Sequence, residues 1–186
     1  MSRTLASLTL ALACLTPALA GDTYEVDASH SHVGFAITHL KVSRFYGRFN
    51  DVAGTFVVDA DPAKCSIMLT VKAASVDTAN KKRDDHLRSQ DFFSVEEFEQ
   101  ITFKSSSAAK KGDKLEVKGT LTLHGVSKEI TVEVEHVGTG PGMKGEQRAG
   151  YEARFTIKRS DYGMTYLLDG LSDEVRLVVS LEGVKN

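Results

Sequence analysis

Six histidines, His30, His32, His39, His86, His124 and His136, are the side chains best suited to proton transfer or metal binding in this sequence. His30 and His32 are two apart, so on a strand they share a face, and a metal can bridge two such imidazoles. No spaced cysteine or third nearby histidine completes a ligand set. The plainer assignment is that both cap turns and hydrogen-bond loop backbone. A metal-dependent hydrolase using His30, His32 and nearby carboxylates therefore stands as the alternative reading. A second cluster sets Asp84, Asp85, Asp91, Glu96 and Glu97 beside Lys81, Lys82, Arg83 and Arg88. Paired carboxylates can do acid–base work, but mixed charge on a short helix reads first as a solvated face. The i,i+4 spacing of Asp84 and Arg88 predicts a surface ion pair. A Gly-rich phosphate loop, Gly-x-Ser-x-Gly, His-Glu-x-x-His and Cys-x-x-Cys-His are all absent. The expectation is a protein that is not an enzyme and carries no catalytic cofactor.

The elements that must position these residues are strands. Alternation of period two runs from Tyr24 onward. Val33, Phe35 and Ile37 share one face, and Phe45, Gly47 and Phe49 begin a run that Gly54, Phe56 and Val58 continue. Ile67, Leu69 and Val71 follow, then Ile101 and Phe103, then Leu115, Val117, Gly119, Leu121 and Leu123. Ile130, Val132 and Val134 return after a corner at His124-Gly125, followed by Tyr151, Ala153, Phe155 and Ile157, and finally Val175, Leu177, Val179 and Leu181. About eight strands joined by short polar connections favour antiparallel pairing and a closed barrel or a sandwich. Glycines within the strands suit barrel bends and close approaches. Lys81 to Ser89 breaks the alternation, and Asp77 or Asn80 can cap a short helix there, placed to cover one end of the barrel.

Residues 1–20 read as a cleavable secretory signal: Arg3, an apolar run from Leu5 to about Leu15, Pro17, and a small-x-small site at Ala18-Leu19-Ala20. Cys14 raises the alternative of a lipidated cysteine, against which Ala11 stands where such a site has Leu. Cleavage leaves residues 21–186 as one domain with a formal charge of 22 minus 25, about −3, which is not the basic balance of a nucleic-acid binder. No later apolar stretch is long enough to span a bilayer. Cys65 then has no disulfide partner in the chain and reads as a buried, inert thiol. Nine Phe and no Trp, with Phe35, Phe49, Phe56, Phe103 and Phe155 on inward faces, fit either a packed core or the wall of an apolar container.

Four segments together carry a family resemblance. They are Tyr24-x-Val26-Asp27-x-x-His30-Ser31-x-Val33-x-Phe35-x-Ile37-x-His39; Lys82-Arg83-Asp84-x-His86-Leu87-Arg88-Ser89-x-Asp91-Phe92-Phe93 running on to Ile101-Thr102-Phe103; Gly119-x-Leu121-Thr122-Leu123-His124-Gly125-Val126-Ser127-Lys128; and Arg159-Ser160-Asp161-Tyr162-Gly163-Met164 followed by Ser172-Asp173-Glu174-Val175. From about Tyr24 to the C-terminus the chain resembles the YceI-like family of periplasmic, lipocalin-like, polyisoprenoid-binding proteins. The resemblance implies an all-β fold: an extended eight-stranded antiparallel barrel with a short helix inserted between strands and a lipid-filled interior. It also implies a periplasmic location and a ligand such as ubiquinone or a polyprenyl phosphate, bound for transport or storage.

On that basis Phe35, Ile37, His39, Phe49, Phe56, Leu69, Phe92, Phe103, Leu121, Phe155, Tyr162 and Met164 are the expected ligand-binding residues. His39, Arg48, Arg159 or Asp161 are the candidates to meet a head group at the mouth. The partners expected are an isoprenoid or other long-chain amphiphile, a transient membrane or membrane-protein contact, and a second copy pairing around a long tail. A third reading is an interaction scaffold whose barrel is packed solid with its own side chains.

Overall fold

The alternating runs form eleven strand segments, and the computed structural model describes residues 21–186. The expected signal segment and the question of Cys14 lie outside the described residues. The strands are β1 (Asp22–Val26), β2 (His32–His39), β3 (Ser43–Phe49), β4 (Val52–Val58), β5 (Ser66–Lys72), β6 (Val76–Asp77), β7 (Gln100–Lys111), β8 (Lys114–Leu123), β9 (Val126–Pro141), β10 (Gln147–Lys158) and β11 (Leu171–Lys185). One helix, α1 (Lys81–Arg88), lies between β6 and β7.

Three breaks divide what are physically longer strands. β2 pairs with β3 while β1 pairs with β4, and β3 pairs with β6 while β4 pairs with β5. β1–β2, β3–β4 and β5–β6 are therefore each one bent stave. With β7 to β11 they make eight staves, each antiparallel to its sequence neighbour. β11 closes the ring by pairing with β2 over its first half and with β1 at its end. Closure joins the first and last staves and pairs most of the strand edges, which removes most of the usual template for aggregation; β3 before Arg48 and β10 after Ala153 each keep one unpaired edge.

The first break is held by charge. Asp27 accepts from Arg148 Nη1 at 2.9 Å and meets His30 Nδ1 at 2.7 Å, and Arg148 Nη1 also donates to Glu182 at 2.5 Å. The Ser31 hydroxyl accepts from Glu182 N at 3.1 Å, which bridges the gap in the ladder between β1 and β2. The first of the four segments is thus a device for bending a stave.

The two barrel ends differ. At the floor, Tyr24 stacks on Phe56 with centroids 5.2 Å apart, and Phe56 meets Tyr151 edge-on at 5.5 Å. At the mouth stand the β2–β3 turn, α1 and the β10–β11 connection. Asn80 caps α1 by accepting from Arg83 N at 3.0 Å. The expected Asp84–Arg88 pair does not form. Asp84 is buried and accepts from the Thr78 amide at 2.9 Å and from its hydroxyl, whereas Arg88 binds Asp85 at 3.2 Å and the carbonyls of Ala74 and Val76. Both side chains turn toward the preceding loop because it offers unpaired backbone groups that a surface pair would leave unsatisfied. Cys65 is half-buried with its Sγ 3.6 Å from the Asp59 carbonyl.

Candidate functional site

Inward-facing residues of the staves enclose a cavity of about 430 Å³, within the usual range for small-molecule sites. Along β11 its wall runs from Leu171 through Val175, Leu177 and Val179 to Leu181. Ten residues at about 3.3 Å each, tilted as barrel strands are, make a channel roughly 25 Å deep. All eight staves contribute lining residues along that depth. The space is a tube, not a bowl.

Two glycines let rings line this tube. A Cβ on Gly47 would lie 2.8 Å from Phe35 Cε1, and one on Gly119 would lie 2.5 Å from Phe103 Cζ. The strand backbone at these positions is the seat of an aromatic ring on the neighbouring stave.

Of the expected ligand-binding residues, Phe35, Ile37, His39, Phe49, Leu69, Phe92, Phe103, Leu121, Phe155 and Met164 line the cavity. Phe56 and Tyr162 face inward but lie outside the lining. Phe56 is spent in the floor stack with Tyr24 and Tyr151. Tyr162 is 2% exposed and buried among Leu121, Leu123 and Met164, and its carbonyl accepts from His124 Nδ1 at 3.0 Å.

The head-group candidates divide similarly. His39 and Arg159 line the cavity, Arg48 faces outward on β3, and Asp161 is exposed and pairs with Lys128 at 3.5 Å. Arg159 is 3% exposed and donates to the carbonyls of Met164 (2.9 Å), Tyr166 (2.7 Å), Leu171 (3.1 Å) and Ser172 (3.1 Å). Burial lowers its pKa from the ordinary guanidinium value, while Asp173 acts in the opposite direction. Its donors are committed to the loop that forms one side of the mouth, so it positions that loop.

Sequence reasoning missed Arg83 and His86, which line the cavity from α1. The guanidinium of Arg83 lies 4.5 Å from the Phe45 ring centroid and donates to the Thr78 hydroxyl at 2.7 Å and carbonyl at 2.8 Å. His86 packs edge-on against Phe92 (5.1 Å) and Tyr166 (5.4 Å) and bonds Asp91 at 2.8 Å. With His39 edge-on to Phe45 at 5.0 Å, these groups form a polar and aromatic collar above the apolar tube. The signal was present in the sequence, since Arg83, His86 and Leu87 have the i, i+3, i+4 spacing of one helix face.

The metal alternative loses its geometry. His32 lies over Gly34 on the outer wall, while His30 turns to Asp27. Asp27, His30 and Glu182 do bring ligand-type atoms within 4.8 Å of one another, but the cationic Arg148 bonds both carboxylates. Hydrogen bonds from Ser29 first, then from His30 and Arg148, hold the Asp27 carboxyl well below its ordinary range. The cluster is a satisfied ion-pair network.

The model of the YceI-like domain matches residues 24–183. The chain belongs to the YceI-like family. Protein YceI of Salmonella newport is 41% identical over 189 residues, covering all of this chain and 99% of that one. Among solved structures, Burkholderia cenocepacia BcnA superposes with a TM-score of 0.78 at 26% identity, covering 84% of this chain and 98% of that one. The Campylobacter jejuni YceI protein gives 0.71 at 34% identity, covering 86% and 96%. A domain from Saccharophagus degradans, described as polyisoprenoid binding, shares the fold with a TM-score of 0.68 at 19% identity, covering 88% and 98%. The eight-stave barrel of this YceI-like chain is therefore the family fold.

Proposed function

We propose that the barrel binds one long-chain isoprenoid lipid, its tail threaded down the tube and its head at the collar of His39, Arg83 and His86. The single observation that carries this reading is the shape and chemistry of the cavity: deep, apolar and walled by Phe, Leu, Val and Ile. A deep apolar tube suits one extended hydrocarbon chain. Phenylalanine faces such as Phe35, Phe49, Phe103 and Phe155 suit the polarizable double bonds of a polyprenyl chain. Arg83 and the histidines suit a head that carries acceptor oxygens, as a quinone or a phosphate does. Membership of the family and the description of the Saccharophagus domain support the same ligand class. The role is binding rather than catalysis, and with residues 1–20 read as a signal segment it is carriage or storage in the periplasm.

The test uses lipid-stripped, refolded protein and a series of isoprenoid quinones of increasing tail length, read by tyrosine fluorescence since the chain has no Trp. At about 0.8 kcal/mol per buried CH₂, each added prenyl unit should tighten binding by about tenfold or more until the tube is full. A saturated fatty acid should bind more weakly. Affinity independent of tail length would refute the reading.

A further inference from the structure

We propose that the mouth end of the barrel docks on an anionic lipid bilayer, with the β2–β3 turn and residues 166–168 as the inserted tip. The inference rests on the reading of the interior as a lipid site but concerns a separate, outward surface. Leu40, Val42, Tyr166, Leu167 and Leu168 are 58%, 85%, 42%, 51% and 42% exposed. Leu40 N donates to the Gly170 carbonyl at 2.7 Å, which joins the two loops and makes their side chains one patch. The backbone is held against its preference to display them: Leu40, Lys41 and Leu167 have φ of 49°, 59° and 53°. Two successive positive-φ turn positions ordinarily take Asn-Gly, so the apolar and basic side chains of Leu40 and Lys41 call for a purpose outside folding.

Charge and dimensions select the occupant. The five side chains expose roughly 500 Å², which is large for a monomer's apolar patch yet short of the ~800 Å² per partner of a stable protein pair. Behind the tip, the outer wall carries Arg44, Tyr46 and Arg48 on β3, Arg176 on β11 and Arg154 on β10, around a groove floored by Gly34 and Ala36. Arg44 and Arg176 have no acidic partner among the described residues, whereas Arg154 bonds Glu152 and Arg48 bonds Asn50. The acids of this wall are Asp77, which accepts from Asn50, Glu152, which accepts from Arg154, and Glu174, while Asp169 lies in the tip loop and Asp91 bonds the His86 that packs on Tyr166. At about 3.3 Å per residue, Arg44 lies ~7 Å and Tyr46 ~13 Å behind Val42, so a tip sunk 5–10 Å brings the first arginine to the phosphates and the tyrosine to the interface. The whole chain has a formal charge of −2, so any preference for anionic lipid must come from a local basic surface such as this wall and Lys41 at the tip.

The test is flotation with vesicles of phosphatidylcholine alone or with about 30 mol% phosphatidylglycerol. It compares the wild type with Val42→Asp/Leu168→Asp and Arg44→Glu/Arg176→Glu. Each protein is also checked for thermal midpoint and for co-purified lipid by mass spectrometry. The wild type should float with anionic vesicles about tenfold better than with neutral ones and be released by about 0.5 M salt. Both double variants should lose that binding while keeping the wild-type midpoint and lipid content. Vesicle binding by a protein without co-purified lipid would refute the interior reading and support the docking surface. Wild type that stays unbound, or tip variants that float as well as wild type, would overturn the proposal. Dissociation of a dimer by Val42→Asp/Leu168→Asp, without vesicle binding, would assign the patch to a second copy and overturn it too.

Discussion

The ring of Phe35 occupies the place where a side chain at Gly47 would stand, so the absence of a Cβ on one stave sets the position of an aromatic ring on the next. In the register, Phe35 lies directly opposite Gly47. The ring is held against the wall and out of the channel. Gly47→Ala should push Phe35 inward, narrow the tube and at least halve the lipid-loaded fraction, at about 1–3 kcal/mol of stability from overpacking. Gly138→Ala is the control: nothing lies within 4 Å of a Cβ there, and the change should stay within about 0.5 kcal/mol. Chemical denaturation and mass spectrometry of the extracted lipid measure both. Equal lipid loading of the two variants would remove the role assigned to this glycine.

Arg159 holds the mouth loop through four carbonyls. Arg159→Met should cost about 3 kcal/mol or more, because buried carbonyls lose charged donors together. Amide exchange should accelerate first across residues 163–171. Arg159→Lys should recover only part of the loss, since an ammonium cannot reach four carbonyls from one plane. Unchanged protection of that loop in Arg159→Met would show that other contacts hold it.

The bend between β1 and β2 makes stability depend on pH. The folded-state pKa of Asp27 lies below its ordinary 3.8, through Ser29 first, then His30 and Arg148. Its contribution is therefore complete above the unfolded value and is lost as pH falls below about 4 toward the folded one. Asp173, lowered by the Ser160 amide, acts in the same sense. Urea midpoints should fall between pH 5 and 3 in the wild type and fall less steeply in Asp27→Asn, which is less stable at pH 7. Identical acid limbs in the two proteins would contradict the assignment.

Much of the barrel was legible because period two decides which side of a sheet a residue faces, and it placed Phe35, Ile37, Phe49, Phe103 and Phe155 on the inner wall. Parity does not encode height along the barrel. Phe56 has the same pattern as Phe49 yet lies in the floor, because the stave is bent between them at Asn50-Asp51. Tyr162 lies four residues past the end of β10, where parity no longer holds. Arg83 belongs to a mixed-charge run whose plainer reading is a solvated face; only the helix phase relative to Leu87 turns it and His86 to the mouth. Arg159 was legible as a mouth residue, but its four carbonyl partners lie up to thirteen residues away and have no sequence signature.

The central claim is that the tube holds a single lipid chain. The most direct measurement is native mass spectrometry of the protein isolated from its own cells without detergent, followed by solvent extraction and identification of what is released. The account predicts one bound molecule per barrel, with a polyprenyl tail, lost only when the protein unfolds. Recovery of the bare polypeptide mass alone, from protein whose barrel is folded and never exposed to detergent, would contradict it.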